Sequence, residues 1–397
     1  MKMERYIRHG IQDAIRQAFV WLIAGVLFSC SEGQEVFDPA EGTDQYAVLN
    51  IYVYASDDPM VTRADEGLVN LYAQEKVLKS LKIWVFKHGG SADTDLPLHY
   101  LSPAEPELQG SRSKLFQIAL TEDDVEVLTA DDGQVDLYVM ANAESVGLNG
   151  LDENSTRAEV RDAVIATDYF GTTALTTDIA TNGLPMSGCG QNISVQGTYP
   201  VLSLPVVKLT RCVSKLRFIL SQNEDADSEV SITSLQLDGN QFPVTENVFN
   251  LTNNPYSISA AYVADAIPFT PPAAVAKYDR VSDLVFRMQN VQDYEDLVDE
   301  CVAEGYLTQM GPYYFRESNK CLTGTISYRV TQKADPTDYK DLTKNFSMSS
   351  VAGSYNFSRN HTWTVYVYYL GGLELQMIMV YVREWRTGDT EHDLYNW

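Results

Sequence analysis

Apolar and polar side chains alternate along most of this chain with a period of two, the pattern of strands that bury one face. Ala47, Leu49, Ile51, Val53 and Ala55 alternate with Val48, Asn50, Tyr52 and Tyr54, which predicts a first strand over 46–56. Residues 81–86 and 135–140 read the same way, the second led in by a turn at Asp132-Gly133. Residues 216–220 and 325–330 are further strands. The strongest pair spans 362–369 and 373–385 and is joined through Gly371-Gly372 as a hairpin. Helices are few. Thr156-Arg157-Ala158-Glu159 has the residues of a capping box, and Tyr294, Leu297, Val298, Cys301 and Val302 recur at helical spacing ahead of Gly305. The stretch from His88 to Lys114 is rich in Gly, Pro, Ser and Asp and is expected to be a long surface loop. Many short strands divided by turn clusters predict a mainly β chain built of β-sandwiches. The length suits two domains, with a boundary near Pro205.

Composition narrows the partners. The chain holds 29 Lys and Arg against 54 Asp and Glu, a net charge of −25. That balance works against nucleic acid and anionic membrane surfaces, because phosphate binding rests on clustered cations. With 45% hydrophobic residues, the chain can bury a core and is not read as disordered.

The first thirty residues stand apart. Lys2, Arg5, Arg8 and Arg16 precede an apolar run over 18–27. At ~1.5 Å per residue that run covers about half of a ~30 Å hydrocarbon layer. It predicts a signal segment over 1–29 rather than a membrane span, with translation starting at Met1 or Met3. Leu27-Phe28-Ser29-Cys30 resembles the lipobox of bacterial lipoproteins, which would make Cys30 the lipidated residue, although Phe28 departs from the small residue usual there. Cys189, Cys212, Cys301 and Cys321 would then remain, enough for two disulfides with three pairings open. A buried thiol is equally natural for Cys301 on the apolar face of its helix.

Catalytic signatures are missing from the sequence. His9 lies in the signal, and His88, His99, His361 and His392 are scattered, none at metal-ligand spacing from a cysteine or another histidine. No nucleophile elbow, phosphate-cradling glycine loop or His-Glu-x-x-His is present. Asp131-Asp132-Gly133 with Asp136 lacks the ligand series and closing glutamate of a calcium loop and reads as a hairpin turn. No enzyme activity and no cofactor are expected. Arg63, by contrast, is the only basic residue between Cys30 and Lys76. It precedes Ala64 in a polar connector, where an arginine-specific protease could reach it, and a cut there would release the strand over 46–56.

Several pieces together resemble the fimbrillins of Bacteroidales type V pili. They are Cys30 with its lipobox, Thr62-Arg63-Ala64, Leu137-Tyr138-Val139-Met140-Ala141-Asn142 and Leu184-Pro185-Met186-Ser187-Gly188. Leu209-Thr210-Arg211-Cys212-Val213-Ser214-Lys215-Leu216, Arg359-Asn360-His361-Thr362-Trp363 and the last strand ending at Trp385 complete the set. The resemblance implies two transthyretin-like β-sandwich domains in tandem, over 64–205 and 206–397, with a few short helices and no enzymatic activity. It also implies a route: transit as an outer-membrane lipoprotein on a transient lipid anchor, cleavage by an arginine-specific protease, and strand exchange with other fimbrial subunits at the cell surface. Carried onto this chain, the cut falls between Arg63 and Ala64, and 30–63 is a propeptide. The displaced strand carries Ala47, Leu49, Ile51, Val53 and Ala55. The donor strand carries Leu373, Leu375, Met377, Met379 and Tyr381. Residues 386–397 continue past Trp385 and would reshape or cap that donor. Two other readings stand beside this one. The chain could be a tip or accessory adhesin that binds a host or bacterial receptor through the loops over 88–114 and 253–272. It could also be a glycan-binding lipoprotein that stays on the membrane through Cys30.

Overall fold

The computed structural model describes residues 47–55, 77–89, 93–104, 108, 113–129, 133–166, 183–198, 200–249, 261–290, 294–348, 357–382 and 393–396. The chain is mainly β, as the alternation predicts. Its first sheet runs in two leaves. One leaf places His99–Leu101, Leu81–Lys87, Gln134–Ala141 and Met186–Ser194 side by side. The other is arranged around Ala47–Ala55, flanked on one edge by Ser113–Leu120 and on the other by Val201–Ser203, itself paired with Gln196–Thr198. Val207–Arg211 joins the leaves: its first half pairs with Ala47–Ala55 and its last two residues pair with Met186–Ser194. A strand that passes from one leaf to the other makes the corner of a sandwich. The inward residues of both leaves, among them Ile83, Val85, Leu137, Val139, Leu49, Ile51 and Phe116, fill one core.

A second core lies between two further sheets. Ser214–Asn223 is flanked by Thr308–Phe315 and Thr362–Tyr369, and Thr362–Tyr369 pairs in turn with Leu375–Val382. Facing it are Ile267–Phe269, Ser228–Leu237, Leu322–Gln332 and Tyr339–Met348. Phe218, Trp363, Val365 and Leu375 from one sheet meet Ile232, Leu235, Ile326 and Phe346 from the other. Helices Val281–Asn290 and Tyr294–Ala303 cover the back of the first of these sheets, where Val281, Leu284, Val298 and Cys301 pack on Ile219 and Tyr366. Gly305, at φ +81, closes the second helix as its position predicts.

Several expectations change in the structure. The supposed loop over 88–114 contains the strand His99–Leu101, and helix Arg157–Arg161 clamps its start: the Arg157 and Ala158 amides donate to Asp95 and Asp93 carbonyls at 2.9 and 3.0 Å. The capping box of Thr156 and Glu159 is formed. Helices Glu122–Thr129 and Val281–Asn290 were not among the elements read from the sequence, although Val281, Leu284, Val285 and Met288 recur at helical spacing in the second. The last strand begins at Leu375, because Leu373 lies in the turn after Gly371 and Gly372, both with positive φ. Pro205 falls inside the first sheet, since Val207–Arg211 still pairs there; the chain crosses to the second core at Cys212-Val213. The four cysteines Cys189, Cys212, Cys301 and Cys321 are thiols, so neither of the two disulfides is formed. Burial pushes the thiols of Cys189 and Cys212 up to about 11, which keeps them protonated and unreactive.

Candidate functional site

The first strand is the keystone of its leaf. Ala47, Leu49, Ile51 and Val53 point into the core and are wholly buried, so the alternation read from the sequence is the inside–outside alternation of the fold. Ala47 to Tyr54 pairs residue for residue with Leu120 to Ser113. On the opposite edge the Val48 amide donates to the Pro200 carbonyl and the Leu204 amide to the Asn50 carbonyl, both at 2.9 Å. Among the described residues, Ser113–Leu120 and the Gln196–Thr198/Val201–Ser203 hairpin reach the rest of the sheet only through this strand. Taking it out would cut the leaf into pieces. The side chain of Ala55, and Cys30, Arg63 and Ala64, lie outside the described residues.

The C-terminal hairpin is the other half of the expected site. Leu375 and Met377 are buried in the second core. Lys344 Nζ donates to the Leu375 carbonyl at 2.8 Å and Tyr328 Oη to the Leu373 carbonyl at 3.0 Å, which fixes the turn. Met379 and Tyr381 pair along the backbone with Val365 and Trp363. Their neighbours Ile378–Tyr381 also pair with a short tail strand, Asp393–Asn396, so part of the tail caps the outer edge of the expected donor. The structure therefore keeps the two strands apart: the first is central to one core and the last is built into another.

Two buried polar clusters were not legible in the sequence. Asn142, in the left-handed region at φ 58, uses its whole amide group. Its oxygen accepts from the Lys79 amide at 2.8 Å, and its nitrogen donates to Val77 and Leu184 carbonyls at 3.0 and 2.6 Å. This fixes the segment 77–80 that leads into Leu81–Lys87. The second cluster ties the two cores together. Thr245–Asn247 pairs with Val164–Ala166, and Val248 and Phe249 pack on Trp84 and Tyr138. Arg359 closes this junction: it pairs with Glu246 and with Glu317, the latter at 3.1 Å, and donates to Val248 and Asn247 carbonyls at 2.9 and 2.8 Å. Burial, opposed by Arg359 and reinforced by Glu317, pushes the Glu246 carboxyl up to about 7. Asn142, Tyr138, Leu184 and Arg359 lay in motifs the sequence singled out, but Glu246 and Glu317 did not.

Asp136 answers the calcium question. Its carboxylate is buried against Arg157 at 2.6 Å, His88 at 2.7 Å and the Asn192 amide at 2.9 Å, so its oxygens are already engaged. Among the described residues no group of three His, Cys, Asp or Glu side chains could hold a metal ion.

No family model and no curated protein matches the chain. Solved structures do match. A candidate cell adhesion protein from Parabacteroides distasonis is 15% identical with a TM-score of 0.50, over 89% of this chain and 96% of that one. A fimbrial protein from Bacteroides vulgatus is 11% identical with a TM-score of 0.45, over 88% and 99%. A candidate cell adhesion protein from Bacteroides eggerthii is 11% identical with a TM-score of 0.44, over 83% and 87%. With the first of these the chain shares its fold along nearly its whole length.

Proposed function

We propose that the chain is a subunit of a cell-surface fimbria, exported as a lipoprotein on Cys30 and joined to its neighbours by strand exchange after a cut between Arg63 and Ala64. The observation that carries this reading is the place of Ala47–Ala55, central and apolar inside, and among the described residues the one strand that pairs Ser113–Leu120 and Val201–Ser203 to the rest of the sheet. Loss of such a strand demands a replacement of the same shape, which is β-augmentation by a neighbour. The shared fold with a candidate cell adhesion protein supports the reading. The donor is the strand carrying Leu375, Met377, Met379 and Tyr381. In the free subunit it is stored in its own sandwich, so donation gives up burial in one core and regains it in another. Such a swap is close to balanced in free energy and is held back by its barrier. The role involves no catalytic step. Its test is an Arg63→Ala variant expressed with the protease. The expected outcome is loss of both the size shift and fibre incorporation; unchanged incorporation would refute the cleavage role.

A ligand-binding tip or accessory role is the second reading, and one feature favours it. An open groove of about 550 Å³ is lined by Asp238, Thr323, Thr325, Asn345 and Ser347, a carboxylate, an amide and hydroxyls suited to sugar hydroxyls. Glycan-array binding lost in Asn345→Ala would support it.

A further inference from the structure

The first strand has a seam on one edge. Val48, Leu49 and Asn50 pair with Val201, Leu202 and Ser203, and Val53, Tyr54 and Ala55 pair with Val207, Lys208 and Leu209. Between the two registers, Ile51 and Tyr52 stand against Leu204, Pro205 and Val206, two residues against three. That is a bulge, with proline in it, and no cross-strand pair is made there. On the opposite edge pairing is continuous through the same residues.

The outer face of the sheet is apolar where the register breaks. Tyr52 is 36% exposed and faces Leu115, 44% exposed, across the continuous edge. Val206, 58% exposed, lies on the other side of Tyr52, and Val201, 45% exposed, lies further along the same strand. Tyr54 stacks on Tyr52 with ring centroids 6.4 Å apart. Exposed apolar side chains gathered on one face mark a contact surface more often than the same residues scattered singly. Here they surround the weakest-paired point of the strand.

We propose that this patch is a toe-hold at which the C-terminal strand of a second copy lies down before it displaces Ala47–Ala55, starting from the register break beside Pro205. The inference rests on the strand-exchange reading above. It commits to that occupant because residues 377–382 are apolar at every position: Met377, Met379 and Tyr381 alternate with Ile378, Val380 and Val382. One face can rest on Tyr52, Leu115 and Val206 while the chain finds backbone partners at the seam.

The test uses the full chain cleaved at Arg63, with the first strand still bound, and a fluorescent peptide of residues 373–385. Peptide uptake and release of the first strand are followed together by anisotropy and mass spectrometry. Leu115→Ser with Val206→Ser is expected to slow uptake about tenfold, as removing roughly two apolar side chains from an encounter surface should. Val164→Ser, which removes an exposed valine elsewhere, is expected to leave the rate unchanged. Equal rates in the double variant and the parent would overturn the toe-hold and leave strand exchange standing, as would equal slowing by Val164→Ser. No uptake by the parent would overturn both.

Discussion

Glu246 shows how much a single buried carboxyl can do in this fold. It accepts from the Glu317 amide at 2.8 Å, pairs with Arg359, and lies beside Glu317 and Arg316, with Cys212 on the far side of Arg359. Its carboxyl is raised from 4.5 to about 7, so the folded state favours the proton more than the unfolded state does. The contribution of that proton is complete below the unfolded value and is lost as pH rises through the folded one. Wild type is therefore expected to lose stability relative to Glu246→Gln as pH rises from about 5 to about 8. Urea unfolding of both proteins across that window checks it, and parallel curves would rule it out. The glutamine keeps an acceptor for the Glu317 amide and leaves Arg359 paired with Glu317.

At the scale of elements, the first strand and the last strand are matched in kind and differ in setting. Leu49, Ile51 and Val53 bury wholly, at ~1.5–3 kcal/mol each, which gives roughly 5–9 kcal/mol of gross burial before the entropy of ordering the strand. That range explains how a cut chain could keep its first strand bound until a competitor arrives. Truncating one of these side chains should therefore weaken retention more than it disturbs the other core. Ile51→Ala is expected to destabilise the intact chain by about 2–4 kcal/mol and to speed loss of the strand from the cleaved chain. Size-exclusion of the cleaved variant under native conditions reads this directly, and full retention of the strand would contradict it.

Among the described residues, the two sandwich cores are tied by a junction of buried apolar and charged side chains. Phe249 and Val248 reach from the second half of the sequence into the first, Arg359 holds the Val248 carbonyl, and Val164–Ala166 pairs with Thr245–Asn247. The C-terminal hairpin is part of its own core, which sharpens how its removal must be tested. A chain ending at Val382 keeps Leu375 and Met377 and should melt close to wild type. A chain ending at Gly372 loses both and is expected to be less stable by roughly 4–8 kcal/mol. Circular dichroism melts compare them; equal midpoints for the two truncations would show that the hairpin is not integral.

Much of this was written in local pattern. Local pattern placed strands at 81–86, 135–140, 216–220, 325–330 and 362–369; Leu322–Gln332 buries one face, as alternation requires, while Leu81–Lys87, Gln134–Ala141, Ser214–Asn223 and Thr362–Tyr369 are buried on both. The capping box and Gly305 were legible because helix ends need specific backbone partners within a few residues. The sequence by itself thus determined that the chain is mainly β and which faces of its strands are apolar. Tertiary structure alone decided which strand neighbours which. Only pairing across long sequence separations makes Ala47–Ala55, among the described residues, the strand that pairs Ser113–Leu120 to its sheet, seats Leu375 and Met377 in a different core, and puts a proline bulge against Tyr52. The partners of Asn142 and Glu246 escaped the sequence for the same reason: they are tens of residues away, and neither residue type announces a partner it has not yet met.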